Sequence, residues 1–227
     1  MARGAPDARG VRVLRAQSVV TVPVASRVSV ACPAVAVCPS TVRRVVPVVR
    51  TERLRLRGWR AEDRAAYAAM NADPTVAEFL GGPLDPAASD ALIARYEAHW
   101  AREGFGVWAV ETRDGPAFAG SVGLQRVPDA LPCAPAVEVA WRLARDAWGY
   151  GYATEAAHAA LSFAFTTARL DEVVSFTAAG NARSRAVMVR LGMTHDPADD
   201  FAHPRLAADD PLRDHVLYRA RAAGWPT

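Results

Sequence analysis

The chain of 227 residues contains no lysine; all 27 of its basic residues are arginine. A P-loop needs a lysine behind its glycines, so that phosphate site is excluded. Cysteine is nearly absent, with only Cys32, Cys38 and Cys133. Three cysteines cannot build a disulfide framework, and these match no zinc-ligand spacing. No metal is therefore expected, and a reducing, cytoplasmic setting is. Nowhere does the chain approach the ~18 uninterrupted apolar residues of a spanning helix, so no membrane insertion is expected. What is present is a composition 51% hydrophobic and 22% charged. That supplies apolar surface for a sizeable core and excludes wholesale disorder.

Charge is unevenly distributed. Residues 1–50 hold eight arginines and a single aspartate, whereas residues 51–227 hold 19 arginines against 23 acids, a net −4. The high isoelectric point therefore belongs to the N-terminal stretch. The remainder is mildly acidic, which argues against a nucleic-acid-binding face and favours a cationic partner by electrostatic steering. Residues 1–50 are rich in Val, Ala, Pro and Arg. Pro23, Pro33, Pro39 and Pro47 interrupt every strand-like run, and no clean hydrophobic segment of a secretion signal forms. A disordered leader, or a start placed too early, is the expectation there, with order beginning at Thr51.

From Thr51 the pattern is that of an α+β fold. Arg53-Leu54-Arg55-Leu56-Arg57 alternates with period two, as a half-buried strand does. Helices are predicted over Ala61–Asn71, from Asp73-Pro74 to Leu80, and from Asp85-Pro86 to about Arg102. Each of the last two opens on an aspartate–proline start signal. Strands follow at Gly106–Thr112, Phe118–Gln125 and Val137–Leu143, spaced closely enough for an antiparallel meander. Then come a glycine turn and an alanine-rich helix over Gly149–Ala168, a strand at Glu172–Thr177, a helix at Ala182–Leu191 and a final strand at Asp214–Arg221. The sheet is expected to be mixed and mostly antiparallel, with helices on both faces.

The chemistry is concentrated at Gly149-Tyr150-Gly151-Tyr152-Ala153, between a strand and a helix. Two glycines allow a tight turn and close ligand approach. The unpaired amides at the helix start lie at the positive end of its dipole, where a phosphate or pyrophosphate binds. A plain strand-to-helix turn accounts for the same glycines without a ligand. A dinucleotide fingerprint is disfavoured: its third glycine position is Thr154, and the acids Asp171 and Glu172 lie at the start of the next strand instead of its end.

The run from Leu143 through Asp146, Trp148 and the glycine turn to Thr154-Glu155-Ala156 resembles the coenzyme A pyrophosphate loop of the GNAT N-acetyltransferases. Within that superfamily it is most similar to the branch containing the ribosomal-protein N-terminal acetyltransferases. Asp146 stands where the wider signature has Gln or Arg. Three further segments resemble the same branch: Asn181-Ala182-Arg183-Ser184 leading to Leu191-Gly192-Met193, the opening Thr51–Arg57 with Asp73–Val76, and the tail from Asp200 to Tyr218. The resemblance covers residues 51 to about 221.

It implies an acetyl-CoA-dependent N-acetyltransferase acting by direct attack in a ternary complex. The acceptor would be a primary amine on a small molecule, peptide or protein N-terminus. The backbone of Val139, Ala140, Trp141 and Leu143 would pair with the pantetheine. Gly149, Tyr150, Gly151, Tyr152, Ala153 and Thr154 would take the pyrophosphate, and Asn181 the pantetheine arm. Glu138, facing away from Val137 and Val139, is the candidate base, and Ser184 the candidate partner of the leaving sulfur. The same residues also read as a solvated strand carboxylate and an ordinary helix-start serine. In that case the protein would be a non-catalytic acyl-CoA-binding module. Tyr67, Phe79 and Trp108 are candidates for the acceptor channel. His203 and His215 lie too far apart in sequence to form a metal pair without a third ligand. A homodimer is the default assembly.

Overall fold

The computed structural model describes residues 45–225 apart from residue 116. The expectation of a disordered leader therefore falls, for residues 1–44, outside the described residues. Order reaches further upstream than Thr51. Strand β1 (Val49–Arg50) pairs antiparallel with β2 (Leu54–Arg57), and the Pro47 carbonyl accepts the indole N–H of Trp108 at 2.9 Å.

Helices α1 (Asp63–Ala72), α2 (Pro74–Ala77) and α3 (Pro86–Glu103) follow. The Asp73 side chain accepts from the Thr75 amide at 2.8 Å, and that of Asp85 from the Ala88 amide at 2.7 Å. Each cap satisfies a donor the helix start leaves free. The first helix begins two residues later than its acidic start predicts. The Asp63 carboxylate takes the Arg60 amide at 2.8 Å and both terminal nitrogens of Arg57, which holds the chain in a turn until Asp63.

Strands β3 (Val107–Thr112), β4 (Gly120–Arg126) and β5 (Val137–Leu143) form the predicted meander. The second starts at Gly120 because Phe118 turns out of the sheet and packs edge-on against Tyr67. The remaining elements are α4 (Tyr152–Thr166), β6 (Glu172–Ala178), α5 (Ala182–Arg190), β7 (Thr194–His195), β8 (Phe201–Ala202) and β9 (Asp214–Arg221). At two residues each, β7 and β8 are too short to carry an alternating pattern; the β8–β9 pairing is the closing hairpin that the resemblance over Asp200–Tyr218 implies, whereas β7 was not legible in the sequence.

The strand order is β1-β2-β3-β4-β5-β6-β9-β7, with β8 beside β9. Every neighbouring pair is antiparallel except β5 and β6. Alternation sorts the side chains onto two faces. Leu54, Leu56, Trp108, Val110, Val122, Leu124 and Val139 are fully buried in a core shared with Ala156, Ala157, Ala160 and Leu161 of α4. Val107, one residue out of phase with Trp108, joins Tyr67, Met70, Val76, Ile93 and Tyr96 of α1–α3 on the opposite face.

Candidate active site

The site originates in one irregularity of the sheet. Strand β5 pairs with β4 along its whole length, from Val137 opposite Arg126 to Leu143 opposite Gly120. On its other side it meets the parallel strand β6 at a single register pair, Glu138 and Val174. Beyond Glu138 the two strands diverge, which leaves one backbone edge of β5 without a strand partner. A cavity of about 1170 Å³ occupies the opening, lined by Ala140, Trp141 and Leu143 of β5 and by Ser175, Phe176 and Thr177 of β6. Val139, predicted to bind the ligand through its backbone, is not among the lining residues, and its side chain is fully buried in the α4-side core.

At the open end lies the glycine turn. Trp148 donates its indole N–H to the Leu143 carbonyl at 2.9 Å, tying the turn to the strand end. Gly149 and Gly151 adopt φ of +85° and +80°, conformations that side chains disfavour. A Cβ at Gly149 would have no neighbour within 4 Å, so backbone conformation and open space, not packing, account for that glycine. Glu155 makes the first α4 hydrogen bond, to Gly151 at 3.1 Å. The amides of Tyr152, Ala153 and Thr154 are therefore left without a helical acceptor, at the positive end of the dipole. Thr154 Oγ1 is buried yet has no hydrogen-bond partner among the described residues, although Thr154 lines the cavity. An orphaned hydroxyl and free amides facing one cavity fit a bound phosphate group.

Two residues that sequence reasoning missed hold this turn. The Glu155 carboxylate accepts from the Thr51 hydroxyl at 2.6 Å, the Arg53 amide at 2.9 Å and Arg53 Nε at 2.7 Å. Burial alone would raise the Glu155 carboxyl, but these hydrogen bonds and the Arg53 charge outweigh it and hold the group below its ordinary value. Arg53 also donates to the Tyr150 carbonyl at 2.9 Å and lies over the Tyr152 ring. Tyr152 in turn stacks on the exposed Tyr150. The available signals were the alternation from Arg53 into β2 and the place of Glu155 in the run after the glycine turn, and neither says what its side chain meets.

Glu138 sits where the strands part. Its neighbours Val137 and Val139 enter the α4-side core, and its own side chain lines the cavity, half-buried. No hydrogen bond or ion pair reaches its carboxyl among the described residues, and burial pushes its pKa up to about 8. Ser184, on the first turn of α5, lines the same cavity. Asn181 also lines it, but as the N-cap of α5: its side-chain oxygen accepts from the Ser184 amide at 3.2 Å, while its nitrogen donates to Thr177 Oγ1 at 2.9 Å. Only part of its hydrogen-bonding capacity remains for a ligand.

Of the acceptor-channel candidates, Phe79 lines the cavity. Tyr67 and Trp108 do not: both are fully buried, Tyr67 among the aromatics of α1–α3 and Trp108 beneath α4. Arg183 crosses the cavity mouth between Phe79 and Trp148, 4.7 Å above the Trp148 ring, and pairs with Glu78 at 2.6 Å. His203 and His215, expected to form no metal pair without a third ligand, have their rings 5.1 Å apart where β8 meets β9. Among the described residues no group of three His, Cys, Asp or Glu is placed to hold a metal, and no helix is long and apolar enough to cross a membrane.

The fold is a mostly antiparallel sheet that opens beyond one parallel pair, with a helix start whose free amides fit a phosphate group at the open end. Residues 53–194 match the family profile described as the acetyltransferase (GNAT) domain, and the chain belongs to that family. It is similar to the uncharacterized protein YkkB of Bacillus subtilis, with 28% identity over 144 residues, spanning 63% of this chain and 83% of that one. The crystal structure of an acetyltransferase from Agrobacterium tumefaciens superposes with a TM-score of 0.64 at 31% identity, covering 78% of this chain and 95% of that one. Mycobacterium smegmatis RimJ, solved in complex with CoA-disulfide, shares the fold with a TM-score of 0.61 at 22% identity, covering 77% of this chain and 84% of its own.

Proposed function

We propose that the protein is an acetyl-CoA-dependent N-acetyltransferase whose acceptor is a primary amine, attacking directly while both substrates are bound. The acceptor classes are small molecules, peptides and protein N-termini, the last being the class of the ribosomal-protein branch that the motifs resemble. The observation that carries this reading is the unpaired Glu138 carboxyl at the strand divergence, in the same cavity as the phosphate-fitting turn.

Acetyl-CoA supplies the activated thioester. The amides at the start of α4, with Thr154 Oγ1, would hold its pyrophosphate, and the free edge of β5 would pair with the pantetheine as an added strand. In its ionised form Glu138 takes the proton of the attacking amine, directly or through one water. A backbone N–H of β5 polarises the carbonyl oxygen, and the Ser184 hydroxyl hydrogen-bonds the leaving sulfur.

The pH dependence follows from Glu138. The carboxyl must be ionised to accept a proton, so activity rises with pH through about 8. We expect a limb of kcat/KM near that value in the wild type. Glu138→Gln removes that limb and lowers kcat by about 10²–10⁴-fold, leaving acetyl-CoA affinity within a factor of about two. Thiol release measured across a panel of amines, alongside calorimetric titration of acetyl-CoA, tests both. Binding without thiol release on any amine assigns the protein to non-catalytic acyl-CoA binding. Folded protein that does not bind acetyl-CoA ends the transferase reading.

A further inference from the structure

Besides the base candidate, the cavity wall carries a charge that the reaction does not use. Arg142 lies on β5 four residues from Glu138 and is half-buried against the cavity. The other arginines lining the cavity are exposed: Arg53 pairs with Glu155 at 2.6 Å, Arg183 with Glu78 at 2.6 Å, and Arg190 lies on the solvent side of α5. Arg142 has no carboxylate within ion-pair distance among the described residues. One of its terminal nitrogens donates to Asn71 Oδ1, whose own nitrogen donates to Ser89 Oγ at 3.1 Å. The hydroxyls of Tyr67 on α1 and Tyr96 on α3, 3.4 Å apart, are a separate neutral pair on the same face of the sheet.

A half-buried cation held by a neutral group is undercompensated, and its remaining N–H donors have no protein acceptor among the described residues. The natural complement of a guanidinium held on one side is a carboxylate, bound bidentately. Phosphates of acetyl-CoA are an unsuitable source for that anion. The glycine turn that fits them opens α4, on the face of the sheet that Val139 and Leu143 enter, whereas Arg142 faces α1 on the other. On this second face the cavity is lined by Thr75, Val76 and Phe79 around α2, together with Glu138.

We propose that Arg142 binds a carboxylate of the acceptor, so that the acceptor is an amine that also bears an acid group. The inference rests on the transferase reading and narrows its substrate class. Strand geometry sets the spacing. Residues four apart on one face have Cα atoms about 13 Å apart, from which both long side chains reach inward. The amine and acid of the acceptor are therefore separated by several bonds, as in an ω-amino acid or a short peptide. The local cation runs against the net charge of the domain, whose acidity steers cationic molecules toward the protein as a whole.

The test uses ω-amino acids from 4-aminobutanoate to 8-aminooctanoate, each paired with the amino alcohol of equal length, with thiol release as the readout. At one chain length or more, the acid is expected to exceed its alcohol in kcat/KM by about tenfold or more, chiefly through KM. In Arg142→Gln the ratio falls to near unity. Arg142→Lys, which keeps the charge but not the fork, retains part of the preference. Titration of acetyl-CoA into all three proteins shows that the cofactor site is folded and unchanged. The proposal is overturned by equal rates within every pair, by a preference that survives Arg142→Gln, or by turnover of no member by protein that binds acetyl-CoA. It is equally overturned if Arg142→Gln weakens acetyl-CoA binding about tenfold, which would assign the arginine to the cofactor. Absence of acetyl-CoA binding in the wild type removes the transferase reading itself, a distinct result.

Discussion

At the residue scale the molecule treats two acids in opposite ways. Asp63 is buried with Arg57 as a bidentate pair with contacts of 2.7 and 2.8 Å, and Glu111 adds a further carboxylate to the same guanidinium. The hydrogen bond that Arg57 donates to Asp63 leads the effects that hold Arg57 ionised above its ordinary range, against the opposing pull of burial. Removing Asp63 takes away the bidentate partner and leaves Arg57 with Glu111 as its remaining carboxylate. Asp63→Ala is therefore expected to cost about 1–3 kcal/mol, read from urea unfolding midpoints. Glu138 has no such partner, and its burial costs stability once it ionises. Its carboxyl titrates at about 8 in the fold, well above a free glutamate, so the folded state holds the extra proton and stability falls as pH rises between those values. Glu138→Gln should thus raise the melting temperature at pH 9 and leave it nearly unchanged at pH 4. An equal shift at both pH values would show that charge is not the cause. A group that destabilises the fold while facing a cavity is what a site retained for chemistry looks like.

At the element scale the glycine turn and α4 behave as one unit, pinned from outside by Arg53 and Thr51 through Glu155. Gly151 adopts a left-handed conformation and lies beneath the Arg53 guanidinium, which a Cβ would approach to 3.6 Å. A β-branched side chain is strained there and occupies the space a phosphate would need. Gly151→Val is expected to weaken acetyl-CoA binding by about 10- to 100-fold, because strain at one such residue is about 1–3 kcal/mol. Calorimetric titration reads the loss, and an unchanged circular dichroism spectrum would assign it to the turn. The position of this turn was readable from the chain, since two glycines between an alternating and an alanine-rich segment carry a strong signal. Its fastening was not, because Arg53 and Glu155 are about a hundred residues apart, and the motifs that contain them do not say that they meet.

At the scale of the whole molecule, the sheet is continuous except where β5 and β6 diverge, and its first edge is finished by residues upstream of Thr51. Val49 and Arg50 pair with Leu56 and Arg55, Val46 packs on the α4-side core, and Pro47 takes the indole N–H of fully buried Trp108. A chain beginning at Thr51 leaves that buried donor without its carbonyl and exposes apolar surface. It should be less stable than one beginning at Val45 by about 1–3 kcal/mol, measured by urea unfolding. Equal stability of the two would mean that water replaces the carbonyl at no cost. Prolines and the scarcity of acids made residues up to Arg50 look unlike the domain, yet two residues suffice to cap a sheet edge once a partner strand is present.

Local pattern alone determined the order and type of the main elements, the aspartate caps of α2 and α3, the glycine turn, and the outward phase of Glu138 between two valines. These depend on neighbours within a few residues, where period and propensity operate. Tertiary structure decided what each polar residue meets. It closed Arg53 onto Glu155, buried Arg57 with Asp63, turned Asn181 into a helix cap, removed Tyr67 and Trp108 from the cavity, and left Arg142 with only neutral partners. It also decided that the sheet opens at Glu138, since a single parallel register pair sets where two strands part. Electrostatic partnership and strand divergence are relations between distant segments, and no periodicity along one segment encodes them.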